Sequence, residues 1–320
     1  TTEKFGTLLP FADSSLATGC LLLATNCPPL DLVTGGGLVP GSVTLLAGEP
    51  GIGKSTLLAQ VAIMMSVIGG RVIYVTGEES PFQVRRRLTR LAQELPASLL
   101  FLDETDASVI AATLEAEKPT LTIVDSIQAM RLADANGEAG SVSQVKACAA
   151  VITEAARRSG IPVILGGQVT KDGDIAGPRV LEHLVDTVLF LEGDKDHRYR
   201  ILRALKHRFG SVDEIALLTM TERGLEQVED PSSELLRDRA THASGSVVTC
   251  LIEGRRPLLL EIQALVSPAG YGTPIRRATG VDNARLGMLL AVLAKRAGIS
   301  ALDKDVYANA AGGIDAKDPS

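Results

Sequence analysis

Eight residues, GEPGIGKS from Gly48 to Ser55, restrict what this chain can fold into more than any other stretch of it. They fit the pattern G-x-x-x-x-G-K-[S/T] at every defined position, between an apolar run, VTLLA (43–47), and a helix-forming run, TLLAQVAIMM. The chemistry of such a loop requires that placement. Its glycines let backbone N–H groups approach phosphate oxygens, and the helix behind adds the positive end of its dipole. Lys54, expected in an exposed loop, would reach the β and γ phosphates, and the Ser55 hydroxyl would ligate Mg2+. The candidate nucleotide-binding set is Gly48, Glu49, Pro50, Gly51, Ile52, Gly53, Lys54, Ser55 and Thr56. A strand, a glycine loop and a helix in this order belong to parallel sheets covered by helices.

From 43 to 192 the pattern satisfies that architecture, alternating short β-branched runs with longer helical ones. Strands are expected at 43–47, 71–76, 99–102, 120–124, 162–166 and 187–191, and helices at 54–68, 81–94, 107–117 and 143–159. In the last of these helices Val145, Ala149, Ile152 and Ala156 share one face. Runs at 199–205 and 214–220 have hairpin-like spacing and would add antiparallel edges. EDPSSELLRDRATHASG (229–245) is polar with one short amphipathic piece and reads as a linker. Beyond it, strand-like runs and a helix over 282–297 begin a second α/β unit, in which VYANAAGG reads as a strand with nothing after it to pack against. The expected organisation is a segment 1–29, a nucleotide-binding unit 30–228, a linker 229–245 and a smaller unit 246–320.

Several strand ends carry polar residues suited to phosphate chemistry. TLTIVDS ends in Asp125, a carboxylate placed to hold the Mg2+ shell. VTGEES sets Glu78 and Glu79 at the end of the strand after the P-loop helix, expected beside the P-loop strand, where a carboxylate activates water. The same glutamates also suit a cap for the helix SPFQVRRRLTRL, with Ser80 at the cap position. Gln168 follows a later strand at the phosphate edge, either as a γ-phosphate sensor or as part of an ordinary surface loop. In LKHRFGS, Lys206 and Arg208 lie on one face of a strand, about 7 Å apart, a pairing that attracts an anion or marks a solvated strand end. RRRLTR (85–90) lies on a helix and is expected to form a solvated face.

The formal net charge of −6 and a pI near 5.4 exclude a chain that grips duplex DNA over its whole surface. With no tryptophan and 3% aromatic residues, base stacking is poorly provided for, so any nucleic-acid contact is local and directed at the backbone. Candidates are Arg131, Lys171 and Arg179, in Gly-rich loops that hold no aromatic residue. The four cysteines and four histidines are scattered without metal-ligand spacing, so no zinc is expected. No apolar run approaches the ~20 residues of a membrane span, and no secretory pattern is visible. A cytoplasmic protein without membrane contact is the expectation.

LDLVTGGGLVPGSVTLLAGEPGIGKSTLL, YVTGEES, VDSIQ, GSVSQVKACAA, VTKDGDIAGPRVLEHLVDTVLFLEGD, HRYRILRALKHRFG and RPLLLEIQALVSP together resemble the bacterial RadA family of DNA-repair ATPases, from about residue 30 onward. KHRFG stands where that family has KNRFG, and Gln168 where it usually has His. The family's four-cysteine finger is absent from this sequence, and the C-terminal part resembles its Lon-protease-like domain without the lysine that follows the serine in true Lon proteases.

The resemblance implies an α/β fold: a RecA-like P-loop NTPase core, mostly parallel with helices on both faces, followed by part of a smaller α/β Lon-protease-like domain. It further implies ATP with Mg2+ and a homo-oligomeric, hexameric ring. That ring would move on single-stranded DNA and promote branch migration of branched recombination intermediates beside a RecA-type recombinase, without proteolysis. By likeness to ring helicases, Lys206 and Arg208 would contact the γ-phosphate held by a neighbouring subunit. The rivals are an ATP-driven regulatory ring of the circadian-clock type that needs no DNA, and a nucleotide kinase.

Overall fold

The computed structural model describes residues 22–168, 178–193, 199–237, 239, 243–253, 255–270, 273–311 and 316. A short helix, α1 (Pro28–Val33), precedes an alternation of β1 (Val43–Gly48), α2 (Lys54–Val67), β2 (Val72–Thr76), α3 (Pro81–Leu91), β3 (Leu99–Asp103), α4 (Ala107–Glu117), β4 (Leu121–Val124), α5 (Val142–Ser159), β5 (Val163–Gln168), α6 (Pro178–Leu181) and β6 (Thr187–Glu192). β7 (Tyr199–His207), β8 (Ile215–Thr221) and β9 (Gly224–Gln227) follow. These strands make one sheet in the order β3-β2-β4-β5-β1-β6-β7-β8-β9, parallel from β3 to β6 and antiparallel beyond.

Both faces of the parallel part are covered, so β1, β2 and β4 are buried at every residue and read as unbroken apolar runs. Successive side chains still go to opposite sides. Leu46 and Tyr74 pack with Leu57 and Val61 of α2 and Val84 and Leu88 of α3. Leu45 and Val75 pack with Ile110 of α4 and Val145, Cys148 and Ile152 of α5. Ser80 caps α3, as the sequence led one to expect, and does so through a capping box with Gln83, with Pro81 opening the helix.

The strand order corrects one expectation. β2 does not lie beside β1, because β4 and β5 stand between them. Helix α2 carries the chain across the space that those two later strands fill, and a hydrophobic pattern marks strands without giving their order. Glu78 therefore neighbours the end of β4, which carries Asp125, instead of the P-loop strand.

Past β9, helix α7 (Pro231–Leu235) leads to β10 (Ser246–Glu253), β11 (Arg256–Pro268), β12 (Arg276–Thr279), α8 (Asn283–Val292) and β13 (Lys304–Ala310), a second sheet ordered β10-β11-β13-β12. The VYANA run is thus not left unpacked. β13 pairs antiparallel with β11 and parallel with β12, in the interior of that sheet. The helix expected over 282–297 is α-helical only to Val292; 293–297 continue as a π-turn that ends at Gly298, whose φ is 68°.

The stretch expected as a linker contains α7. Its Leu235 is buried with Tyr199, Ile201 and Leu217 of the large sheet and Leu251, Leu258 and Leu260 of the small one, so one apolar cluster joins the two. Helix α1 in turn crosses the expected boundary at 29/30, and Leu23 bridges to Leu38.

Candidate active site

β1 and α2 hold the phosphate-binding loop between them. A Cβ on Gly48 would lie 2.4 Å from the Leu191 carbonyl oxygen of β6, so only glycine lets β1 lie this close to its neighbour at that point. Gly53 has φ 122°, and a Cβ there would meet Met220 and Leu225 of the β8–β9 hairpin at 3.0 and 3.2 Å. That hairpin is fixed to α2 by Gln60, whose amide donates to the Leu225 carbonyl at 3.0 Å and accepts from its N–H at 2.9 Å. Ile52 is fully buried and anchors the loop, and its N–H donates to the Glu49 carbonyl at 3.3 Å.

Lys54 departs from expectation. It is 8% exposed instead of open to solvent, because α2 begins at this residue and its Nζ turns back to donate to the carbonyls of Gly48 and Glu49, each at 2.8 Å. The ammonium is thus held at the mouth of the loop, with Ser55 and Thr56 on the first turn of α2 behind it.

Across from the loop, the ends of β2, β4 and β5 converge. Asp125 Oδ2 accepts from the Tyr74 hydroxyl at 2.7 Å and has Arg87 at 3.6 Å. Burial, and then the Asp125 carboxylate, push the Tyr74 phenol well above its ordinary range, which keeps it protonated and donating. Oδ1 faces Gly166 of β5, where a Cβ would come within 3.1 Å of it. Glu78 is exposed and accepts from the Ser126 hydroxyl. Glu79 is paired with Arg87. Gln168 is exposed at the end of β5, in register with Gly48, and its carbonyl accepts from Gln128 at 3.3 Å. The Ser55 hydroxyl and the Asp125 carboxylate are hard oxygen donors, which fits Mg2+.

Arg87 corrects another expectation. Of the run 85–90, Arg85, Arg86 and Arg90 are exposed, but the Arg87 side chain is only 19% exposed and lies among the carboxylates. It sits three residues after buried Val84 and one before buried Leu88, so it shares the inward stripe of α3.

Lys206 and Arg208 lie elsewhere. β7 is antiparallel to β6, so His207 pairs with Thr187, itself level with Thr44 at the start of β1. The pair therefore occupies the sheet edge opposite the P-loop, which leaves the far end of β1. Lys206 Nζ donates to the carbonyls of Glu182 and Val185, the latter at 2.8 Å. Burial and the neighbouring Arg208 pull its pKa below the usual lysine value. Arg208 pairs at 3.0 Å with the buried carboxylate of Asp186, which also accepts from the Val43 N–H. His207 spans Thr187 Oγ1 (2.9 Å) and the Thr34 carbonyl (3.2 Å), which makes Nε2 the protonated nitrogen.

Of the three candidate DNA contacts, the structure describes the side chain of Arg131 alone. Arg131 is exposed, with its Nε bonded to Thr105 Oγ1 at 3.1 Å. Lys171 and the Arg179 side chain lie outside the described residues.

A protein-family model described as an AAA domain matches residues 16–174. The crystal structure of the RadB recombinase is similar over 65% of this chain and 100% of that one, with 27% identity and a TM-score of 0.51. DNA repair protein RadA of Bacillus subtilis is 47% identical over 92% of this chain and 64% of its own length, and that of Aquifex aeolicus 48% identical over 92% and 66%. RadA of Streptococcus pneumoniae is 43% identical over 92% of this chain and 70% of its own length. The chain belongs to the bacterial RadA family. It spans about two thirds of the length of these RadA relatives.

Within this RadA chain the fold is RecA-like, as expected from the sequence. Three residues of the site escaped that reading: Tyr74, Ser126 and Arg87. Tyr74 is hidden in a fully buried strand, where the single aromatic in VIYVT, with its phenolic hydroxyl, is the available signal. Ser126 follows the Asp125 that drew attention. For Arg87 the signal that could have found it is its position between Val84 and Leu88 on the apolar stripe of α3.

Proposed function

We propose that this chain is a DNA-dependent ATPase of recombination and repair, working as a hexameric ring on single-stranded DNA to promote branch migration, in the cytoplasm and beside a RecA-type recombinase. Its ATPase unit would comprise 30–228, joined through 229–245 to the unit 246–320. The names of its RadA and RadB relatives support the repair and recombination setting. In each site the loop amides and Lys54 would bind and neutralise the phosphates, while Ser55 and Asp125 would hold Mg2+, which supplies charge neutralisation at the β and γ oxygens. One of the paired glutamates would take the proton of the attacking water, and Gln168 would sense the γ-phosphate. Arg131, Lys171 and Arg179 would contact the DNA backbone.

The observation that carries the ring reading is the placement of Lys206 and Arg208 at the edge opposite the P-loop. Lys206, level with Leu45, and Arg208, level with Val43, stand about three and five residue steps, ~10 and ~17 Å, from Gly48 along β1, and both side chains are engaged by Glu182, Val185 and Asp186 before the start of β6, so neither is placed to reach a phosphate bound in its own chain. Arg208 spends one of its donors on Asp186, and its side chain is 47% exposed, so the remainder of the guanidinium is open to an anion brought by a neighbouring copy. A head-to-tail ring brings one edge to the other at every interface.

The test mixes two inactive variants, Lys54→Ala, which keeps the cationic pair, and Arg208→Ala, which keeps the P-loop. About a quarter of the interfaces in a random equal mixture are whole, so ATPase stimulated by single-stranded DNA should reappear. A mixture as inactive as its parents, with subunit exchange shown by labelled chains, would return Arg208 to a solvated strand end.

A further inference from the structure

The sequence leaves two adjacent glutamates as candidates for the water-activating base, and the geometry around them is unequal. Glu79 is held by Arg87, and the same guanidinium stands 3.6 Å from Asp125 Oδ2. Glu78 touches the Ser126 hydroxyl and no cation among the described residues, with its side chain at the open end of β2. A carboxylate whose oxygens are taken up by an arginine is poorly placed to receive a proton from water. Three carboxylates, Glu78, Glu79 and Asp125, converge on one strand edge, and Arg87 is the cation that reaches two of them.

We propose that Arg87 is a positioning residue of the hydrolytic centre: it clamps Glu79 and Asp125, and so leaves Glu78 as the general base. The inference rests on the ATPase reading above. Glu79 would not touch the attacking water; its part is to anchor Arg87. Without Arg87 the freed Glu79 charge would face the phosphates and compete for the divalent cation. The defect of an Arg87 variant should therefore be cured by neutralising Glu79, which is not expected of an arginine needed only for packing.

The experiment compares Glu78→Gln, Glu79→Gln, Arg87→Gln, Arg87→Lys and the double variant Arg87→Gln/Glu79→Gln in the full chain, each checked for thermal stability. Glu78→Gln should lose at least about a hundredfold in turnover, the scale of a missing general base, and still bind a fluorescent ATP analogue. Glu79→Gln should lose less than about tenfold. Arg87→Gln should lose about tenfold or more in kcat with little change in KM, Arg87→Lys should recover part of that, and the double variant should rise to the level of Glu79→Gln. Mn2+ binding to the nucleotide-free protein, read by electron paramagnetic resonance, should tighten severalfold in Arg87→Gln and return in the double variant.

Glu79→Gln as inactive as Glu78→Gln, a double variant no better than Arg87→Gln, or unchanged Mn2+ binding would each overturn the proposal. A Lys54→Ala control separates the two readings. If turnover survives that change, the ATPase reading fails, and the Mn2+ titration still decides whether Arg87 clamps the carboxylates.

Discussion

Gln60 carries a load that its place in an apolar helix conceals. Its side-chain amide makes both of the hydrogen bonds that hold Leu225 against α2, and Leu225 with Met220 covers the P-loop at Gly53. Gln60→Leu keeps the approximate volume and the helix propensity and removes both bonds, stranding a buried N–H and a buried carbonyl. Each unsatisfied group costs roughly 1–3 kcal/mol, so the change should destabilise by about 2–6 kcal/mol. For a unit of about 200 residues, at roughly 2–4 °C per kcal/mol, Tm should fall by about 4–24 °C. Thermal unfolding followed by circular dichroism measures this, and a fluorescent nucleotide should bind severalfold more weakly below Tm because the cover over Gly53 loosens. A fall in Tm below about 2 °C would refute the reasoning, since it would mean that water or a relaxed hairpin satisfies Leu225 without Gln60.

Two further outcomes are expected. Tyr74→Phe removes the donor to Asp125 from a fully buried ring and should cost about 1.5–3 kcal/mol at neutral pH. The Tyr74 phenol has its pKa raised by folding, so its contribution is complete below about pH 10 and fades as pH rises beyond it; the Tm gap between native and Tyr74→Phe should narrow in that direction. Leu235→Ala should open a cavity in the cluster shared by the two sheets and cost about 2–5 kcal/mol, with hydrogen exchange accelerated first in β10 and β11 while β1 and β5 stay protected.

The sequence made the elements of the large sheet legible because its strands are buried on both faces and its helices carry amphipathic or uniformly apolar patterns. It did not make their order legible. That β4 and β5 separate β2 from β1 follows from crossovers, which leave no mark in residue spacing. The strand–loop–helix form of the segment 43–67 was readable, since such a loop depends on backbone geometry that only certain residues allow. Lys54 was misjudged as exposed because its carbonyl partners, at Gly48 and Glu49, become visible only when the loop closes. Arg87 was misjudged because three exposed arginines in the same run hide the one that turns inward. In the stretch 229–245, Leu235 is an ordinary apolar residue in a polar segment, and its burial depends on two sheets that lie far from it in sequence.

The position of β1 in its sheet has a consequence for how the chain comes off the ribosome. Both neighbours of the P-loop strand are late arrivals: Val43 pairs with Val163, and Thr44 with Thr187. At ~5–20 residues per second, the interval between making Gly48 and completing β6 near residue 192 lasts about 7–29 s. Until β5 is made at residue 168 the VTLLA run has no strand on either side, and until β6 is made it has one on a single side, so the strand that carries the loop is incompletely paired throughout. Nascent chains arrested before β6 should fail to retain nucleotide, and those arrested well after it should succeed. Nucleotide capture then reports that the centre of the sheet has closed, and the strand left incompletely paired until that moment is the part of the chain most in need of a chaperone.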